Sequence, residues 1–276
     1  MFIRGSVKLN GLKTAGGKLS SVVKRNKKNV AAGFMLLLLA GIAYAAPRAV
    51  VDVANNAAVS AKELPIYCVD RDDKVVALTF DAAWGNEDTQ KILDILDKHN
   101  VKVTFFATGG WVETYPDDVK KIIEAGHAFG NHSENHKFMT RLTDEQKKQE
   151  LMKVHDKVKA LTGYEMCLFR PPYGDYNDAV VKVADSLGYY TIQWSVDSLD
   201  WKDYGVDSIV RTVTQHKNLD SGAIILMHNG AKYTADALDS IITSLEEQGY
   251  SFVTVAELIH TGKYHMDHTG KQIADE

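Results

Sequence analysis

Val75-Val76-Ala77-Leu78-Thr79-Phe80-Asp81 is the stretch that decides the fold. An unbroken run of apolar and β-branched residues, with no polar alternation, predicts a strand buried on both faces, the kind found in parallel sheets covered by helices. The run stops on a carboxylate. Asn86-Glu87-Asp88 then offers a helix cap, and Ile92, Leu93, Ile95 and Leu96 make a helical apolar stripe up to Asn100. The alternation repeats down the chain, with further strands predicted at 101–107, 127–131, 167–170, 189–196, 223–228 and 252–255. Helices are predicted at 117–125, 143–161, 177–187, 206–216, 235–248 and 256–260. Roughly seven strand-then-helix units imply an α/β protein with a parallel sheet, and the chain length favours a closed or nearly closed barrel. No Gly-x-Gly-x-x-Gly follows the first strand, which argues against a dinucleotide fold.

Barrels of this kind collect catalytic residues at the C-terminal ends of their strands. Asp81, His132, Arg170, Asp197 and His228 each end or directly follow a predicted strand. The stretch Gly130-Asn131-His132-Ser133-Glu134-Asn135-His136 sets two imidazoles four residues apart, a spacing at which both can face one divalent ion. Each residue also has a plain structural reading. Asp81 could cap a helix, Arg170-Pro171-Pro172 could be a rigid turn, Trp201 could be core, and His228 could be a satisfied core histidine. Five ionisable residues at the ends of five different strands favour the catalytic reading over these separate ones. His127, on the strand leading into the paired histidines, is expected to be structural, and His260, His265 and His268 get no role.

The first 29 residues carry eight Lys and Arg and no acid, leaving 24 basic against 36 acidic residues in the remainder. A body with a net charge near −12 is a poor match for nucleic acid, whose phosphates need a basic surface. The apolar run Val30 to Ala46 follows the basic leader, and Ala43-Tyr44-Ala45 has the small-x-small form of a cleavage site. Positive charge ahead of an apolar run orients the leader to the cytoplasm and the remainder of the chain to the outside. The expected organisation is a basic cytoplasmic leader over 1–29, then a transmembrane anchor or signal peptide over 30–46. A linker over 47–65, a folded domain over 66–262 and a loose polar tail over 263–276 complete it. The expected location is extracytoplasmic, membrane-anchored or secreted. Cys68 and Cys167 could form one disulfide, and the apolar strand-like run around Cys167 fits a buried free thiol at least as well.

Taken in order, Thr79-Phe80-Asp81, His132-Ser133-x-x-His136, Arg170-Pro171-Pro172-Tyr173-Gly174, Asp197-x-x-Asp200-Trp201 and Leu226-Met227-His228 resemble the five motifs of the NodB-type polysaccharide deacetylases, carbohydrate esterase family 4. The resemblance spans roughly residues 75–259 and implies a distorted (β/α)7 barrel that removes N-acetyl groups from amino sugars, with a divalent metal, usually zinc. It implies Asp81 as general base, Arg170 as its partner, and His228 as general acid tuned by Asp200. The backbone N–H of Tyr173 would face the oxyanion, while Trp201 and Leu226 would wall the acetyl methyl. His132 and His136 would hold the metal, and cell-wall glycan would be the substrate. One departure stands out: the family's first motif carries two adjacent aspartates, the second a metal ligand, whereas Ala82 follows Asp81 here. Three outcomes stay open. Asp81 itself ligates the metal, Glu87 or Asp88 reaches in, or metal is bound weakly or not at all. The last would make the chain a glycan-binding protein on the same fold, with impaired catalysis.

Overall fold

The computed structural model describes residues 62–275, so the leader, the apolar run and most of the linker lie outside the described residues. The strands are β1 Cys68–Val69, β2 Val75–Ala82, β3 Thr104–Ala107, β4 Ala128–Asn131, β5 Leu168–Phe169 and β6 Tyr190–Thr191. They continue as β7 Val196–Asp197, β8 Ala223–Asn229, β9 Ser251–Phe252, β10 Tyr264–Met266 and β11 Lys271–Ala274. The helices are α1 Thr89–Lys98, α2 Gly109–Thr114, α3 Pro116–Glu124 and α4 Asp144–Thr162. After them come α5 Asp178–Ser186, α6 Val206–Thr214, α7 Thr234–Glu247 and α8 Val255–Leu258. Among the described residues no helix is long and apolar enough to cross a membrane.

β2 and β8 pair in parallel from Val76↔Ala223 to Ala82↔Asn229. From β2 the sheet continues in parallel through β3, β4, β5 and β6. It then closes on itself through the segment before β2. Ile66 bridges to Ile192 in parallel, and its N–H donates to Thr191 O at 2.8 Å while its carbonyl accepts from Gln193 N–H at 2.7 Å. Two residues on, Cys68 pairs antiparallel with Ala223 of β8. The expected α/β barrel is therefore present, distorted because the closing stave is short, parallel to Ile192 on one side and antiparallel to β8 on the other.

This inserted stave explains one difference from the sequence reading. The strand expected over 189–196 is two strands. β6 stays beside β5, whereas β7 has crossed to pair with Ile225 and Leu226 of β8. Between them, Gln193 and Ser195 donate their N–H groups to Ile66 and Ile224.

The two faces of β2 show the period of two expected of a strand. Val76, Leu78, Phe80 and Ala82 pack in the cluster under the helices, and Val75 and Ala77 in the inner cluster with Ile66, Phe106, Leu168, Ile192 and Ile224. Thr79 and Asp81 continue the inner series, which aims the carboxylate into the barrel.

The polar tail is a correction. β10 and β11 form an antiparallel hairpin, and β11 pairs in parallel with β1. Its docking uses backbone bonds and one fully buried amide, Gln272, which accepts from His260 N–H and donates to His260 O, each at 2.8 Å. No apolar run was needed, so none marked it. Helix α2 was also missed: it opens on Gly109-Gly110, poor helix formers, and is held by Thr108, whose hydroxyl accepts from Trp111 N–H at 3.2 Å. Both cysteines are free, so of the two alternatives the disulfide is absent, and Cys167 is exposed and not a buried thiol.

Candidate active site

The parallel strands β2, β3, β4, β5 and β8 end in register, so the last polar residue of each lands on one rim. Asp81 at the end of β2 sits in register with His228 of β8. His132 follows β4, and Arg170 follows β5. With Ala83, Trp84, His136, Tyr173, Trp194, Asp197, Trp201 and Leu226, three of these four line a cavity of roughly 490 Å³, and Arg170 lies beneath it. That volume is within the range of small-molecule sites, about 300–1,000 Å³.

Arg170 is fully buried and is spent on Asp81. Its Nη1 donates to Asp81 Oδ1 at 2.7 Å and to Thr79 Oγ1 at 2.9 Å, and its Nη2 donates to Gln193 O at 3.2 Å. The guanidinium lies 4.2 Å from the centre of the Phe106 ring. Burial alone would raise the Asp81 carboxyl, but Arg170, helped by His132 and His228, outweighs it and holds the group below the usual carboxylate range. Asp81 is therefore ionised at neutral pH. Its second oxygen, Oδ2, is 3.5 Å from His132 Nε2.

The two histidines converge as their spacing implied. His132 Nδ1 is 2.8 Å from the carbonyl of Arg170, which sets that nitrogen as the donor and leaves Nε2 as a lone pair. His136 Nε2 lies 3.1 Å from His132 Nε2. Burial pushes both imidazoles down, His136 to about 4, so both are neutral near pH 7. Two neutral nitrogens aimed at one another need a proton or a cation between them. Ligands of one tetrahedral zinc, each about 2.0–2.1 Å from the ion, sit a little over 3 Å apart, and this pair fits. The third donor is less well provided. No group of three His, Cys, Asp or Glu side chains forms a metal cage among the described residues. Ala82 is buried and brings no donor. Asp88 is turned away, its Oδ1 accepting Gly230 N–H at 2.8 Å, and Glu87 is exposed; neither lines the cavity. Of the donors weighed from the sequence, only Asp81 Oδ2 points toward the pair.

Beside Asp81, on β8, His228 Nδ1 is 2.7 Å from Asp200 Oδ1, and its backbone N–H donates to Asp200 Oδ2 at 2.7 Å. Thr234 Oγ1 donates to the same oxygen at 2.6 Å. Burial would lower this imidazole, yet the Asp200 carboxylate raises it overall. Leu226 and Trp201 flank it, the indole half exposed, and Tyr173 stands at the rim with its backbone left-handed at φ 60°.

The sequence reading missed several contributors. Trp84 stacks on the His228 ring at 5.0 Å, and its place three residues after Asp81 was the available signal. Thr79, two residues before Asp81 on the same strand face, was legible from the period of two. Thr234, Gln193 and Trp194 carried no signal. His127 is buried away from the cavity and accepts from Val103 N–H at 3.3 Å, a structural position.

A polysaccharide deacetylase family model matches residues 69–192. The chain is 38% identical over 201 residues to the peptidoglycan-N-acetylmuramic acid deacetylase PdaA of Bacillus subtilis, covering 70% of this chain and 74% of that one. It is 40% identical over 198 residues to a peptidoglycan-N-acetylglucosamine deacetylase of Bacillus cereus, covering 69% of this chain and 91% of that one. Among solved structures, a protein of Bacillus anthracis described as a CE4 family pseudoenzyme aligns with a TM-score of 0.68 at 39% identity, over 75% of this chain and 69% of that one. A mutant of that pseudoenzyme is described as having restored enzymatic activity.

Proposed function

The chain belongs to the polysaccharide deacetylase family, carbohydrate esterase family 4, and from that premise we propose that it hydrolyses the N-acetyl group of amino sugars in cell-wall glycan, N-acetylglucosamine or N-acetylmuramic acid. One observation carries the reading. A carboxylate kept ionised and an imidazole kept basic stand side by side on paired strands and line one cavity, the base and acid that amide hydrolysis requires.

His132 and His136 would hold the divalent ion; when bound, zinc supplies a Lewis acid that polarises a carbonyl and acidifies water. Asp81 takes the proton of the attacking water at Oδ2, because Arg170 occupies Oδ1. The backbone N–H of Tyr173 would face the oxyanion of the tetrahedral intermediate. His228, held by Asp200 through Nδ1, then delivers a proton from Nε2 to the leaving amine. Leu226, Trp201 and Trp84 keep bulk water from the acetyl methyl. Support for a sugar comes from the rim: Trp84, Tyr173 and Trp201 are exposed around the mouth, and Phe138 stacks on Tyr173 at 4.4 Å. Exposed apolar patches of this kind mark binding grooves.

A second reading has its own observation. With Ala82 in place of a ligand, Asp81 Oδ2 is the one oxygen left both to complete a metal site and to take a proton from water. If it is used as a ligand, the base is lost, and the chain becomes a glycan-binding protein without turnover, a reading that its likeness to a CE4 family pseudoenzyme supports. Acetate release from N-acetylated peptidoglycan and chitooligosaccharides, with zinc, with cobalt and with chelator, separates the two. The expected result is release that chelator abolishes and Asp81→Ala removes. No release from any substrate, with glycan binding retained by Asp81→Ala, establishes the second reading instead.

The basic leader and the apolar run after it support export, with the domain anchored outside the membrane or released. Cell fractionation with protease added to intact cells tests this, and protection of the domain from the protease would overturn it.

A further inference from the structure

The loop that swings His136 over His132 adopts an unfavourable backbone: Ser133 and His136 have φ of 65° and 52°, left-handed values at non-glycine residues. Such conformations persist only where the surroundings over-determine them. Part of the restraint is internal. Asn131 Oδ1 accepts from Ser133 N–H at 2.9 Å, and Ser133 Oγ accepts from His136 N–H at 3.1 Å. The rest comes from α4. Glu150, 5% exposed, accepts from Asn135 N–H at 2.8 Å through Oε2 and from Asn135 Nδ2 at 2.8 Å through Oε1. Lys137 Nζ reaches the same Oε1 at 2.9 Å. Two turns further along, Lys157 Nζ pairs with Glu134 Oε1 at 2.6 Å and Glu113 Oε2 at 2.9 Å. Positions seven apart share a helix face. That face of α4 thus presents a carboxylate and an ammonium to successive residues of one short loop. Gly109 leaves the room for this, since a Cβ there would run into the Glu134 carboxylate.

We propose that Glu150 is the positioning residue of the histidine pair, with Lys157 as its counterpart, so that α4 aims His136 at the ion His132 shares. The consequence for metal rests on the proposed function; the clamp itself does not. Glu150 touches neither substrate nor reacting atoms, so it acts only through the loop.

Amide hydrogen exchange on the metal-free full chain reads the clamp directly. In Glu150→Ala, exchange at Asn135 and His136 is expected to rise at least tenfold while α4 stays protected. Glu150→Gln should fall between, because its carbonyl still accepts from Asn135 N–H. Zinc affinity by calorimetry should weaken about ten- to a hundredfold in Glu150→Ala, the range typical of groups that orient metal ligands. Val158→Ala, a fully buried core change on the same helix, serves as control: it lowers Tm but leaves loop exchange and zinc affinity as in the parent. If Glu150→Ala raises loop exchange no more than Val158→Ala at an equal loss of Tm, Glu150 is merely structural and the proposal fails. If the parent takes up no zinc, the metal part of the proposed function fails, and exchange alone decides the clamp.

Discussion

Asp81 and Arg170 form a buried pair of which neither can be removed without stranding the other. Arg170 is fully buried and Asp81 nearly so, and their contact is 2.7 Å. Breaking a buried pair by deleting one partner costs about 3–5 kcal/mol, since the remaining charge keeps its desolvation penalty. Arg170→Leu is therefore expected to lose roughly that much in urea unfolding at pH 7, and adding Asp81→Asn should recover part of it. The sign with pH is set by the lowered carboxyl. A depressed folded pKa gives stability that is present above the unfolded value, near 3.9, and lost as pH falls through the folded value. The parent's share holds from pH 7 to about pH 4. In Arg170→Leu, by contrast, the buried carboxyl keeps its desolvation without its partner, its pKa rises, and the variant regains stability as pH falls toward 4. A cost of the substitution that stays constant from pH 7 to pH 4 would refute the pairing. Both residues were legible in the sequence as strand-end ionisable groups. Trp84 was legible only as a residue close to Asp81 in sequence, and its stacking over His228 was not, because a tryptophan in a loop after a strand carries no periodicity to say where its ring goes.

Among the elements, the hairpin of β10 and β11 was the least expected and gives the clearest test. Its turn depends on Asp267, whose Oδ1 accepts from Thr269 N–H at 2.7 Å, from Thr269 Oγ1 at 2.6 Å and from Lys271 N–H at 3.0 Å. The Thr269 hydroxyl, followed by the two backbone donors, pulls this carboxyl down to about 2. Its contribution is thus full above the unfolded value and is lost as pH falls toward 2. Asp267→Ala should lower Tm at pH 7 and free the β1 edge, and the difference from the parent should vanish near pH 2. Hydrogen exchange at Val69 and Asp70, which donate to Gly222 O and Gln272 O, provides a second readout: Asp70 should lose protection while Val69 keeps it. Equal loss at both would mean that the whole closing stave, not the hairpin, had opened. Helix α4 behaved as its sequence indicated: Thr143 caps it, with Gln146 returning the bond to complete a capping box.

At the scale of the whole barrel, the rim is held together by the loops after β2 and β8, and Asp88 is where they meet. Asp88 Oδ1 holds Gly230 N–H, while Asn229 Nδ2 donates to Gly85 O at 3.0 Å and Thr89 Oγ1 donates to Asn229 Oδ1 at 2.9 Å. Asp88 Oδ2 is buried with no hydrogen-bond partner, and burial raises the carboxyl to about 6. Here the sign is opposite to that of Asp81. The ionised form is disfavoured in the folded state, so this group's share of stability declines as pH rises from about 4 to about 6 and is level above. Unfolding free energy measured across that window should slope less in Asp88→Asn than in the parent. Identical slopes would show that Asp88 ionises freely.

Sequence by itself determined the alternation of strand and helix, the inward face of β2 and the arrival of Asp81, His132, Arg170 and His228 on one rim. These come from periods of two and 3.6 and from the shared direction of parallel strands, which are local properties repeated often enough to be read. Tertiary structure alone decided that residues 66–69 close the barrel against Ile192 and Ala223, that residues 264–274 dock on that stave, and that Glu150 and Lys157 grip the histidine loop. Each of those rests on a few bonds between segments distant in sequence, made by polar or backbone groups that leave no periodic trace. The surroundings of the paired histidines belong to the same class: sequence showed that Ala82 brings no donor, and only the folded chain showed Asp81 Oδ2 at 3.5 Å from His132 Nε2.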